Sequence, residues 1–86
     1  VSYGKPIDIW SFGVVLYMLT VGMLPFKYHH GNERKSLQSI LHDEIPYPKE
    51  VSHVLHHLLR GMFRKDPKHR LTIEEVLAHP YFKASF

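Results

Sequence analysis

Three features of this 86-residue chain predict an all-α fold. An uncharged apolar stretch covers residues 9–26, two later segments repeat apolar residues at helical spacing, and no alternating β-branched run occurs anywhere. The expectation is four helices plus a short C-terminal turn, with residues 7–22 as the central apolar element.

The first helix has marked ends. Gly4 and Pro6 break the chain upstream, and Asp8 places a carboxylate in the first turn, where free N–H groups point. Gly22 and Pro25 mark the other end. The helical part is then about fifteen residues, or ~22 Å at 1.5 Å per residue, short of a hydrocarbon core of about 30 Å. Ser11, Gly13, Tyr17 and Thr20 also interrupt it, so a membrane span is not expected. Apolar residues on every side of a helix signal enclosure by protein on every side.

Residues 27–32 read as a polar loop, after which Leu37, Ile40 and Leu41 fall at i, i+3, i+4 for a short second helix. Ile45-Pro46-Tyr47-Pro48 is an extended connector, because each proline lacks an N–H and disfavours helical backbone before it. Ser52 caps a third helix whose Val54, Leu55, Leu58, Leu59, Met62 and Phe63 form one stripe. Asp66-Pro67 interrupts it. Thr72-Ile73-Glu74-Glu75 opens a fourth with a capping box, Ile73, Val76 and Leu77 forming the buried face. His79-Pro80 ends that helix, and Tyr81-Phe82 is an aromatic pair free to fold back onto the core.

Composition narrows the function. At this length one module is the ceiling, and burial is marginal unless other chain segments help, although 44% of residues are hydrophobic. The formal charge of +3 is mild and spread out, so nucleic acid is not an expected partner. The cluster Arg60, Arg64, Lys65, Lys68 and Arg70 reads as a solvated helix end favoured by the helix dipole, with a phosphate-binding patch as the alternative. Cysteine is absent, which excludes disulfides and thiolate chemistry. No N-terminal targeting pattern is visible, and the lack of an initiating Met suggests a partial chain. His53 and His57 stand four apart, but zinc needs three or four ligands and only His56 or His42 could add one; the histidines are read as solvated, and no metal site is expected.

Two phrases carry a family resemblance. Asp8-Ile9-Trp10-Ser11-Phe12-Gly13-Val14-Val15-Leu16-Tyr17 with Gly22-Met23-Leu24-Pro25-Phe26 resembles the central helix of the protein kinase C-lobe. Asp66-Pro67-Lys68-His69-Arg70-Leu71-Thr72 with His79-Pro80-Tyr81-Phe82 is similar to the closing helical turns of that lobe. Pro25-Phe26 and His79-Pro80-Tyr81-Phe82 resemble the Ser/Thr branch, within it the calcium/calmodulin-dependent and AMP-activated group. Tyrosine kinases share Trp-Ser-Phe-Gly but usually carry a Trp near Tyr17, a Cys-Trp pair near Phe63-Arg64 and Arg-Pro where this chain has Arg70-Leu71. The loop over residues 27–34 is a couple of residues longer than that group's pattern.

The resemblance implies that residues 1–86 are the C-terminal part of a kinase C-lobe, in a parent that uses ATP and Mg2+ to phosphorylate protein Ser/Thr hydroxyls in the cytoplasm or nucleus. Asp8 would accept hydrogen bonds from the catalytic loop, with a plain helix cap as its alternative role. Arg70 would pair with the glutamate that ends the activation segment, upstream of Val1; Asp66 and Glu74 are local alternatives. Trp10 would pack against that same upstream segment. Ten residues after Asp8, where arginine-directed kinases carry a glutamate, this chain has Met18. Phosphoryl transfer needs a glycine-rich loop, a lysine with its glutamate partner, a catalytic Asp and magnesium ligands. The chain has no Gly-x-Gly-x-x-Gly, His-Arg-Asp or Asp-Phe-Gly, so no catalytic, cofactor-binding or metal residues are assigned to it. The part is expected to supply scaffold and substrate-docking surface. Alternatives are a pseudokinase or interaction scaffold, and an unrelated helical binding module.

Overall fold

The computed structural model describes residues 5–83, and the expected Gly4 breaker lies outside them. Five helices follow in order: α1 (Pro6–Val21), α2 (Glu33–His42), α3 (His53–Met62), α4 (Ile73–Leu77) and α5 (Pro80–Lys83). The described residues form no strand. The last of these helices is the single C-terminal turn.

Each boundary has a local cause. Pro6 sits at the start of α1, where its missing N–H costs nothing. Asp8 accepts from the Lys5 backbone N–H at 3.2 Å, the returning half of a capping box. Gly22 closes the helix in the left-handed region (φ 86°), its N–H donating to the Met18 carbonyl. Inside α1, Ser11 and Thr20 donate to the carbonyls of Ile7 and Leu16, so neither hydroxyl is left unpaired in an apolar helix. Asn32 caps α2 through Lys35 N–H, and Ser52 caps α3 through Leu55 N–H. The box on α4 is complete: Glu75 N–H donates to Thr72 Oγ1 and Thr72 N–H to the Glu75 carboxylate.

The core is the seam between α1 and α3. Ile9, Leu16 and Tyr17 meet Leu55, Leu58, Leu59, Met62 and Phe63, and Val76 of α4 closes the lower side. Gly13 allows the two helices to approach, since a Cβ there would stand 3.0 Å from Phe63 Cε1 and 3.2 Å from Met62 Cβ. Burying residues such as Leu58, Leu59 and Met62 stabilises by about 1.5–3 kcal/mol each. The Tyr17 hydroxyl donates to the Pro46 carbonyl, which fixes the connector across the end of the seam.

The apolar circumference of α1 is covered on one side only, as expected of a helix apolar all round that needs further chain segments to enclose it: Ile9, Gly13, Leu16 and Tyr17 are buried, whereas Leu19 is 79% exposed and Val15 52%. Three expectations about burial need correction. In α2 the buried residue is Ser39, and Leu37 and Leu41 face solvent. That helix is pinned by its flank instead, Ser36 Oγ accepting from His29 N–H at 2.7 Å. Val54 and Leu77 are also exposed, because α3 and α4 present them away from the seam. His79, read as solvated, is buried against α3.

Candidate functional site

The functional candidates gather where the turn after α3 reaches the first turn of α1. Trp10 lies flat against Phe26 (centroids 5.4 Å apart, planes 5° apart) and meets Phe63 edge-on at 5.3 Å. Such ring pairs add about 0.5–1.5 kcal/mol beyond their buried area. Arg70 lies over the indole, its guanidinium carbon 4.9 Å from the ring centroid. Trp10 is therefore packed within the chain itself.

Arg70 holds three carbonyls. Its Nε donates to Arg64 O at 3.0 Å, one terminal nitrogen to Lys65 O at 3.2 Å and the other to Pro6 O at 2.8 Å. The first two bonds close the turn that follows α3, and the third ties that turn to α1. A guanidinium carries five N–H groups, so each terminal nitrogen keeps one donor beyond these bonds. Burial pulls the Arg70 group down from its ordinary value while Asp66 opposes the shift, and the guanidinium stays charged at any physiological pH. Neither Asp66 nor Glu74 forms an ion pair with it among the described residues; Asp66 pairs with His69 at 3.1 Å.

Asp8 is exposed in this chain, two residues from the carbonyl that Arg70 grips. One carboxylate oxygen accepts the Lys5 amide, and the other meets no donor among the described residues. The structure thus brings Trp10, Arg70 and the first turn of α1 together, with Asp8 on the rim. What the arrangement does chemically is brace backbone: among the described residues, no nucleophile with an adjacent base and no phosphate loop converges there. Among the described residues, no three His, Asp or Glu side chains are placed to hold a metal ion, and no helix is long and apolar enough to cross a membrane.

Two contacts had no signal in the sequence. Lys65 reaches across to the end of α2, donating to the carbonyls of Ile40 and Asp43, with its ammonium 5.8 Å from the Trp10 ring. Its partners lie more than twenty residues away in sequence, so Lys65 read as a solvated cation. His57 and His79 join α3 to the C-terminal turn through ring nitrogens 2.8 Å apart. His57 is spaced like a surface histidine, and nothing nearby in sequence marks its partner.

The protein kinase domain matches residues 1–82. Calcium-dependent protein kinase 21 of Arabidopsis thaliana is 43% identical over 86 residues, covering 95% of this chain and 16% of that protein. The serine/threonine-protein kinase ksg1 of Schizosaccharomyces pombe is 40% identical over 79 residues, with 92% and 13% covered. The RAC-beta serine/threonine-protein kinase A of Xenopus laevis is 40% identical over 86 residues, with 94% and 17% covered. The chain therefore spans less than a fifth of the length of these relatives. Matched by the domain over nearly all its residues and built wholly of helices, as the C-lobe requires, the chain belongs to the protein kinase family, as a fragment of a eukaryotic Ser/Thr protein kinase.

Proposed function

We propose that residues 1–86 are the C-terminal part of a kinase C-lobe and serve as its scaffold and substrate-docking surface, while upstream segments of the parent perform ATP- and Mg2+-dependent phosphorylation of protein Ser/Thr hydroxyls. One observation carries this reading. The flank of α1 that holds Ile7, Phe12, Val15 and Leu19 is apolar yet exposed, on a helix whose other side is a packed core. An apolar surface of this kind is a place where more protein belongs. On this reading Asp8, with a carboxylate oxygen open beside that flank, receives backbone N–H groups of the catalytic loop, and Arg70 offers its two spare donors to the glutamate that ends the activation segment. Fork-to-carboxylate pairing of this type is charge-assisted and fixed in direction.

The test is made on the full-length parent. Asp8→Ala should lower kcat for a Ser-containing protein substrate by about tenfold or more, equivalent to ~1.4 kcal/mol of transition-state stabilisation. The thermal midpoint should fall only as far as loss of a helix cap allows. Unchanged kcat alongside a small loss of stability would reduce Asp8 to a cap and remove the anchor role. A full-length parent that transfers no phosphate from ATP in any condition would instead favour the non-catalytic scaffold.

A further inference from the structure

We infer that the His57–His79 pair is an acid-sensitive clasp holding the C-terminal turn α5 against α3. His79 is 7% exposed, and both of its ring nitrogens are engaged: Nδ1 accepts the Tyr81 backbone N–H at 3.1 Å, and Nε2 lies 2.8 Å from His57 Nδ1. The two rings stack with centroids 5.1 Å apart. Because His79 Nδ1 is an acceptor, the neutral ring carries its proton on Nε2 and donates it to His57. His57 must then accept on Nδ1 and carry its own proton on Nε2. One proton arrangement satisfies every bond.

A second proton breaks the pattern wherever it lands. On His79 Nδ1 it opposes the Tyr81 N–H, donor against donor. On His57 Nδ1 it opposes the His79 Nε2–H in the same way. No anion is at hand to offset it: among the described residues His57 is the titratable group bonded to His79, and the α4 carboxylates of Glu74 and Glu75 form no ion pair with either ring. Glu75 is occupied by the Thr72 amide, and Lys83 on α5 adds positive charge. Burial and the neighbouring His57 both hold His79 below its ordinary value. A histidine depressed in the folded state stabilises in full above the unfolded value of about 6.5 and loses that contribution as pH falls through its folded value. The clasp is therefore closed at neutral pH and opens on acidification, releasing Tyr81 and Phe82 from the core.

Hydrogen exchange of the full-length protein tests this, with protection corrected for the intrinsic pH dependence of exchange. Between about pH 7.5 and about pH 5.5, protection over residues 81–83 should fall severalfold, by up to about tenfold, while protection over residues 55–62 holds. His79→Asn keeps a side-chain acceptor for the N–H two residues on but has nothing to titrate, and should flatten the response. Nitrogen-15 chemical shifts of the wild-type histidines provide a reading free of any variant: both rings should be neutral Nε2–H tautomers at neutral pH. No fall over residues 81–83, an equal fall over residues 55–62, an unchanged response in the variant, or the opposite tautomer at His79 would each overturn the clasp.

Discussion

Gly61 shows how closely single side chains are fitted in this chain. It lies inside α3, where alanine would be favoured by about 1 kcal/mol on backbone grounds alone. Yet an alanine Cβ there would stand 2.7 Å from Leu71 Cδ1 and 2.8 Å from Leu71 Cγ. The Cγ is two bonds from the Leu71 Cα and moves only by rotation about the Cα–Cβ bond, and the backbone that carries it is itself fixed, its N–H donating to the Gly61 carbonyl at 3.1 Å. Overpacking costs about 1–3 kcal/mol, which exceeds the gain in propensity. Gly61→Ala should therefore destabilise the parent kinase by on the order of 1 kcal/mol, and Gly61→Val by more. Thermal unfolding checks the order of the series, and a stabilised alanine variant would show that the 64–71 turn moves away freely. The same turn is what Arg70 holds through its three carbonyls, so packing at Gly61 and the clamp at Arg70 act on one piece of backbone.

Among the elements, α4 depends most on its ends. Five residues cannot repay helix nucleation through internal hydrogen bonds, so the reciprocal bonds between Thr72 and Glu75 supply much of its definition. Thr72→Ala should cost about 1–2 kcal/mol in the parent, whereas Glu75→Gln, which can still reach back to the Thr72 amide, should cost a few tenths. Urea midpoints of the two variants would separate them, and equal losses would mean that the carboxylate charge matters more than the bond. This box was legible in the sequence because its donors and acceptors lie within four residues, as were Ser52, Gly22 and the two prolines of the connector. Exposure was less legible. Leu37, Leu41, Val54 and Leu77 repeat at helical spacing, but periodicity shows only which residues share a face and not whether anything covers it. The contacts made by Lys65, His79 and Arg70 were hidden for the same reason, since the Arg70 bond to Pro6 spans 64 residues. At the candidate site the residue types Asp8, Trp10 and Arg70 could be read, but the carbonyl clamp by which Arg70 ties the turn after α3 to the first turn of α1 could not.

The whole molecule is thinner and wetter than its mass warrants. Its accessible surface is 6631 Å2, against about 5,300 Å2 for a compact monomer of 10.1 kDa. Its radius of gyration is 13.5 Å, where about 12 Å is usual for this length, and its shortest extent is 20 Å, room for about two helix layers. The excess is apolar in part: Ile7, Val15 and Leu19 line one flank of α1, with Met23 and Leu24 beyond its end. Fixing the backbone costs about 1–2 kcal/mol per residue, and a seam buried on one side of one helix returns little of that. The 86 residues expressed alone should therefore bind an apolar dye, keep helical circular dichroism and unfold without a sharp transition. Joined to the upstream segments of the parent, the same residues should lose dye binding and melt as one cooperative unit. A monomeric 86-residue chain that unfolds sharply in urea, with the slope expected for its full surface, would mean that the seam suffices and that the exposed flank needs no cover.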